Sequence, residues 1–282
     1  MTHNFKTYYI TSIDLPELLP YKTLRRPVQH IREGIFIAEG ERVVRRLIES
    51  DITIISMLMT PEWFTKLSFK DDTVTADSSS FASQSKIYIA EKHLLESIVG
   101  FNLHQGIMAV AKLPAELSLD EMINKIPKPH LLVAMDGLVN AENVGVVVRN
   151  CAGFGVDGII VGKTSSSPYL RRAVRNSMGT VFNIPIVHSL DLAESLLSIK
   201  KVYNTRIIAG HLEEKNSIFT ADLSGNICIV LGNEGEGISK TVLNVCDLSV
   251  TIPMMNNTDS LNVASASAVF FYESRKQRNS RR

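Results

Sequence analysis

From residue 130 onward, short uninterrupted apolar runs alternate with stretches in which apolar positions recur every three or four residues. The runs are Leu131 to Met135, Gly158 to Val161, Ile184 to Val187, Arg206 to Ala209, Ile227 to Leu231 and Leu248 to Ile252. Helices are expected between and after them, at about 143–153, 168–180, 190–202, 239–246 and 261–277. Apolar strands separated by helices predict a parallel sheet covered on both faces, that is, a doubly wound α/β domain. No fixed-length repeat is present, which excludes solenoids.

Upstream the rhythm is different. A strand is expected near Ile35 to Ala38, and a helix from about Glu41 to Ser50 whose apolar stripe is Val43, Val44, Leu47 and Ile48. Strands at Ile52 to Leu58, Lys86 to Ile89 and Gly106 to Ala111, with a helix over Lys92 to Val99, complete a small mixed α/β domain. The Ser-, Thr- and Asp-rich tract from Asp71 to Ser85 reads as a loop. The expected organisation is an N-terminal extension over 1–20 without clear pattern, a first domain over 21–112, a linker over 113–129 and a second domain over 130–282.

At 282 residues two domains are the better expectation, and 45% apolar with 21% charged residues is a globular composition. The first ten residues lack a long apolar core and no run approaches the roughly 20 apolar residues of a membrane span, so a cytoplasmic protein without a membrane segment is expected. Cys151, Cys228 and Cys246 are odd in number and far apart, which reads as free thiols acting as small buried hydrophobes rather than a disulfide or metal framework. The seven histidines have no ligand spacing, and GxxxxGK[ST], HExxH and GxSxG are all missing, so no metal is expected.

A net charge of +1 hides clustering. Lys22, Arg25, Arg26, Arg32, Arg42, Arg45 and Arg46 lie near the start; Lys163, Arg171, Arg172 and Arg175 fall in an acid-free stretch; Arg275, Lys276, Arg278, Arg281 and Arg282 crowd the end. Each cluster reads either as a solvated face or as a surface for phosphates, and three of them together suggest positive charge grouped for the phosphates of a nucleic acid. Lys22, Arg25, Arg26, Arg32, Arg171, Arg172 and Arg175 are the candidate RNA-binding residues.

Three short segments carry the chemistry, and a fourth only resembles one that would. Gly153-Phe-Gly-Val-Asp-Gly158 matches the dinucleotide fingerprint in letters but runs from a helix into a strand, the reverse of what phosphate binding needs; its glycines are expected to end the helix in a left-handed cap. Leu231-Gly-Asn-Glu-Gly-Glu-Gly237 follows a strand, and its glycines allow close approach of backbone to a ligand while Glu234 and Glu236 disfavour phosphate. It reads either as a tight turn with surface acids or as a site for a ligand with positive charge, such as S-adenosylmethionine. In Asn143-Val-Gly-Val-Val-Val-Arg149, Asn143 is expected to cap a helix whose buried stripe is Val144, Val147 and Val148. Arg149 after those valines needs an acceptor, in an ion pair or in a functional site. In Ile252-Pro-Met-Met-Asn-Asn-Thr-Asp-Ser-Leu-Asn262 a strand ends, a polar loop follows and a helix starts, presenting Ala264, Ser267 and Ala268 for close packing against another helix or a second subunit.

Asn143-x-Gly-x-x-x-Arg149, Gly232-Asn-Glu-Gly-Glu-Gly237 and Ile252-Pro-Met with Ser260-Leu-Asn-Val263 resemble, in order, the three motifs of the SpoU (TrmH-like) RNA methyltransferases of the SPOUT superfamily. Phe36-Ile-Ala-Glu-Gly40 and His104-Gln-Gly-Ile-Met-Ala109 are similar to the ribosomal-protein-like substrate-binding domain of many members. The resemblance implies a C-terminal trefoil knot, a homodimer through the C-terminal domain, S-adenosylmethionine as cofactor, and methylation of a ribose 2′-hydroxyl in ribosomal or transfer RNA. It further implies cofactor contacts at Leu231, Gly232, Gly235, Ile252, Met254 and Leu261, and a catalytic group of Asn143, Arg149, Glu234, Ser260 and Asn262. Ala141-Glu142, Asn150 and Ala264 depart from the family pattern, where Asp-Pro, Thr and Ser are frequent. A base methyltransferase of the same superfamily and an RNA-binding assembly factor without turnover are the rival readings.

Overall fold

The computed structural model describes residues 6–67, 81–100, 105–211, 216–256 and 258–280. The chain divides into two compact units, one of residues 1–114 with 169–182 and one of 115–168 with 183–282.

In the first unit the strands are β1 (Lys6–Tyr9), β2 (Ile35–Glu39), β3 (Ile54–Met59), β4 (Phe81–Ile89) and β5 (Ile107–Lys112), and the helices α1 (Leu19–Lys22), α2 (Pro27–Arg32), α3 (Glu41–Ile48), α4 (Pro61–Leu67) and α5 (Lys92–Val99). The sheet order is β1-β4-β3-β5-β2, with β5 antiparallel to both neighbours and the other pairs parallel. Leu18, Tyr21, Ile37, Leu58, Tyr88, Leu95 and Met108 form its core on one face. The Tyr21 phenol bonds to Ser56 Oγ at 2.9 Å, and burial pushes its pKa up. Two expectations are corrected here. Lys6 to Tyr9 form an edge strand of this sheet rather than an extension, and Phe81 to Ser85 belong to β4 rather than to a loop. Both segments are polar enough to read as loops, and only pairing with a neighbouring strand makes them extended structure. Asp71 to Ser80 lie outside the described residues.

The chain continues through α6 (Leu119–Lys125), β6 (Leu131–Asp136), α7 (Ala141–Phe154), β7 (Gly158–Gly162), α8 (Arg171–Asn176), β8 (Ile186–Ser189), α9 (Leu192–Tyr203), β9 (Arg206–Gly210), β10 (Ile227–Gly232), α10 (Lys240–Leu243), β11 (Leu248–Val250) and α11 (Val263–Ser280). The second unit's six strands are all parallel, in the order β11-β9-β10-β6-β7-β8. The segment expected as a linker contains α6, started by a Ser118–Glu121 capping box, with Met122 and Ile123 buried in the core of the second unit. Capping supplies the otherwise unpaired first-turn donors, and the two apolar side chains then anchor the helix. The helix expected over 168–180 is only α8, and it groups with the first unit. It stops because Met178 and Gly179 take φ of 56° and 80°, with Gly179 so close to Val43 that a Cβ would lie 3.3 Å from its Cα. The expected left-handed cap at the end of α7 is present at Gly155, φ 72°, whose N–H bonds to Cys151 O.

The C-terminal basic cluster contributes to the fold. Arg278 donates to the carbonyls of Pro129 at 2.7 Å, His130 at 2.8 Å and Gly225 at 2.5 Å, tying the end of α11 to the start of β6 and the turn before β10. Burial, then the neighbouring Arg278 charge, holds the His130 imidazole down at about 4. Arg278→Ala removes the donor of Pro129 O and Gly225 O and one of the two donors of His130 O, which keeps the Ile227 N–H. Charge-assisted hydrogen bonds contribute about 1.5–3 kcal/mol each at most, so a loss of roughly 2–4 kcal/mol in urea unfolding is expected. An unchanged midpoint would show that water replaces the arginine freely.

Candidate active site

Between β6 and β10 the chain leaves the sheet in opposite directions. Loops after the carboxyl ends of such strands leave a crevice where open α/β sheets bind ligands. Here the loop after β10 is tightly built. Asn233 N–H donates to Gly237 O at 2.8 Å and Gly237 N–H to Asn233 O at 3.0 Å, while Asn233 Oδ1 accepts from Gly235 N–H at 2.8 Å and Glu236 N–H at 3.0 Å. Asn233 Nδ2 reaches across to Gly137 O after β6 at 2.7 Å, and Asp136 at the end of β6 accepts from Ser239 N–H at 2.8 Å. Asn233 and Asp136 thus shape the site without having been singled out in the sequence. A polar residue among the glycines of a turn, and an acid closing an apolar strand, were their only signals.

On the other side, β11 ends at Val250, Thr251 bridges in parallel to Ser217, and a loop leads to α11. Asn262 precedes α11, and its Oδ1 accepts from Ala264 N–H at 2.9 Å, a helix cap. With that oxygen committed, Asn262 Nδ2 faces Asn143 Oδ1 at 3.3 Å, and Asn143 Nδ2 in turn donates to the Glu234 carboxylate at 2.5 Å. An amide chain running from a helix N-terminus to a carboxylate has one consistent orientation, because each amide must present oxygen to the donor and nitrogen to the acceptor. It links all three sequence segments. Asn143 does this from inside α7, not as its cap: Asn140 Oδ1 caps that helix by accepting from Glu142 and Asn143 N–H, at 2.8 and 3.3 Å. The N-terminal boundary falls earlier than hydrophobic periodicity indicates because a cap is defined by backbone geometry.

These loops enclose a cavity of about 420 Å³. Its walls include Leu231, Gly232, Gly235, Ile252, Met254 and Leu261, all six expected cofactor contacts, together with Glu234, Ser260 and Asn262. His211, Glu236 and Phe270 also line it. The volume lies within the roughly 300–1,000 Å³ usual for small-molecule sites. An apolar wall with carboxylates at the rim suits a ligand that combines a flat apolar ring with positive charge.

Arg149 is not part of the cavity lining. Its side chain is exposed on α7, the opposite of the buried setting its valine neighbours suggest, and no hydrogen bond or ion pair holds it among the described residues. At 100° per residue it lies on a different flank from Val144, Val147 and Val148, which are fully buried. The small face of α11 packs against α7: Asn150 Nδ2 donates to Ala264 O at 2.8 Å and to Ser267 Oγ at 2.9 Å. Of the two partners open for this face, it meets a helix of its own unit. Cys151 and Cys228 are buried and free, with burial raising both thiol pKa values.

The candidate RNA contacts all sit in the first unit. Lys22, Arg25, Arg26 and Arg32 are exposed around α1 and α2, and Arg172 and Arg175 are exposed on α8. Arg171 is different. Its Nη1 lies 2.5 Å from the buried Glu39 carboxylate, which Arg175 also approaches at 3.6 Å, so Arg171 neutralises an internal acid that the local sequence does not contain. Arg42 and Arg175 line a second cavity with Gln105 and Met178.

An all-parallel doubly wound sheet with a carboxylate-rimmed cavity at the carboxyl ends of β9, β10 and β11 has the architecture of a ligand-binding α/β domain. A family model described as the SpoU rRNA Methylase family matches residues 130–272. The sequence is 31% identical over 268 residues to an uncharacterized tRNA/rRNA methyltransferase of Mycobacterium bovis, covering 92% of this chain and 88% of the relative. It is 31% identical over 191 residues, 67% of this chain and 76% of the relative, to the 23S rRNA (guanosine-2'-O-)-methyltransferase RlmB of Ralstonia nicotianae. The crystal structure of the SpoU methyltransferase AviRb from Streptomyces viridochromogenes has the same fold, with a TM-score of 0.79 at 23% identity over 95% of this chain and 99% of that one. The chain belongs to the SpoU rRNA methylase family.

No helix among the described residues is long and apolar enough to cross a membrane, and no group of three or more His, Cys, Asp or Glu among them is arranged to hold a metal.

Proposed function

We propose that this chain is an S-adenosylmethionine-dependent RNA methyltransferase acting on a ribose 2′-hydroxyl of ribosomal or transfer RNA. The observation that carries the reading is the convergence of the turns after β10 and β11 on one cavity, joined to α7 by the Asn262–Asn143–Glu234 amide chain. Leu231, Gly232, Gly235, Ile252, Met254 and Leu261 hold the cofactor, with the carboxylates of Glu234 and Glu236 near its positive groups. When bound, the cofactor supplies an electrophilic methyl group on a sulfonium.

Ser260 and Asn262 orient the reacting groups from the start of α11, and positioning of the ribose oxygen provides much of the acceleration. Arg149 binds the neighbouring phosphate and stabilises negative charge developing on the 2′ oxygen. The guanidinium keeps its proton and has no acceptor site, so it does not serve as the general base for the hydroxyl proton. Because Arg149 stands outside its own chain's cavity lining, the reading includes a homodimer in which it serves the partner's site, and a trefoil knot formed by the loops around the cofactor. Lys22, Arg25, Arg26, Arg32, Arg172 and Arg175 engage the RNA backbone through the first unit; Arg171 supports them by holding Glu39. The RlmB relative makes 23S ribosomal RNA the first substrate to try.

The test is incubation of the purified chain with methyl-labelled cofactor and RNA, then nuclease digestion and mass spectrometry. A 2′-O-methyl nucleoside is expected. A methylated base would replace the ribose reading with a base methyltransferase, and cofactor binding without transfer to any RNA would favour an assembly factor.

A further inference from the structure

Asn150 stands seven residues after Asn143, a spacing that returns a helix to nearly the same face about 10 Å further on. Both residues face α11. Asn143 Oδ1 accepts from Asn262 Nδ2 at 3.3 Å, just ahead of the helix, and Asn150 Nδ2 donates to Ala264 O at 2.8 Å and to Ser267 Oγ at 2.9 Å. Ser267 is fully buried, and its own hydroxyl proton goes to Ala264 O at 2.7 Å. Its oxygen is therefore presented to residue 150 as an acceptor, and both groups facing Asn150 want a donor. Only the nitrogen end of the amide satisfies them.

A single tether between two helices leaves them free to roll about it; two tethers on one face, separated along the axis, stop the roll. We propose that Asn150 is a positioning residue that locks the rotation of α7 against α11, keeping the Asn262–Asn143–Glu234 chain intact and fixing the direction in which the adjacent Arg149 leaves α7. This rests on the reading of the cavity as the methyl-transfer site. Asn150 and Ala264 are two of the three departures from the family's motif pattern, and they are joined here by one hydrogen bond. The acceptor at position 264 is the backbone carbonyl, so the contact depends on the amide at position 150 and not on the side chain at 264.

Asn150→Asp keeps the shape and removes the donor, placing a carboxylate against two acceptor oxygens; Asn150→Ala removes the contact altogether. Both are expected to lower kcat about 10-fold or more, equal to roughly 1.4 kcal/mol in the barrier, while the cofactor Kd measured by calorimetry changes less than about 2-fold. Because Asn150 acts in large part by aiming Arg149, Asn150→Ala added to Arg149→Ala is expected to cost much less than it does alone. Full multiplication of the two losses would overturn the proposal, as would a parallel collapse of cofactor affinity and melting temperature, which is what mere packing predicts. Unaltered turnover in the Asn150 variants, with Arg149→Ala impaired, would overturn the proposal alone. Unaltered turnover in Arg149→Ala would overturn the reading of the cavity's chemistry and the proposal with it.

Discussion

Gly232→Ala is expected to weaken cofactor binding severely. A Cβ at this position would lie 2.4 Å from the carbonyl carbon of Gly237, 2.5 Å from Ile238 N and 2.7 Å from Gly237 O. All three are backbone atoms, and paired hydrogen bonds between Asn233 and Gly237 hold that backbone in place. No side chain can swing away to make room, so the loop between β10 and α10 must open. Overpacking of this kind costs about 1–3 kcal/mol where the surroundings can adjust, and here adjustment displaces the cavity wall and the partner of Asn143. Calorimetry should show cofactor affinity reduced by roughly two orders of magnitude, about 2.7 kcal/mol. Gly153→Ala is the control. Nothing lies within 4 Å of a Cβ there, in the last turn of α7, so affinity should be unchanged and the helix slightly more stable. Normal affinity in Gly232→Ala would mean that this turn is not part of the cofactor site.

Arg149→Lys is expected to have the second large effect, on rate rather than on binding. The substitution keeps the charge and loses the planar fork that addresses a phosphate and an oxyanion together. Removal of one well-aimed donor to developing charge lowers kcat by about 10²–10³ in comparable sites. Arg149 is outside the cavity lining, so cofactor affinity should remain as in the parent chain. Mixing Arg149→Ala chains with Asn262→Ala chains should recover turnover if each cavity uses the partner's guanidinium. Near-normal turnover in Arg149→Lys would rule out the proposed role, leaving the positive charge alone as sufficient.

Much of the second unit was legible before any coordinates. Its six strands are continuous apolar runs because helices cover both faces, and this signal survives without tertiary context. The glycines around Gly232 and the Ile252-Pro253 stop could likewise be placed at strand ends, and the family resemblance then named the residues that line the cavity there. The first unit was harder. Lys6 to Tyr9 is exposed throughout and owes its conformation to pairing with β4, which no local pattern reports. The short amphipathic segment between the prolines reads as a linker, whereas it is a capped helix whose Met122 and Ile123 are core residues. Arg171 was misread because its acid, Glu39, lies 132 residues away in the chain.

The order of strands and helices in the second unit, the family motifs and the candidate cofactor loop were determined by the sequence itself, because periodicity, glycine placement and proline stops act over neighbouring residues. Tertiary structure decided which polar groups meet: that Asn143 continues a chain from Asn262 to Glu234 instead of capping α7, that Arg171 is consumed by Glu39, that Arg149 remains exposed, and that Asn150 grips α11. Those outcomes depend on hydrogen bonds between segments far apart in the chain, whose partners are chosen by packing and by the need of every buried donor and acceptor to be satisfied.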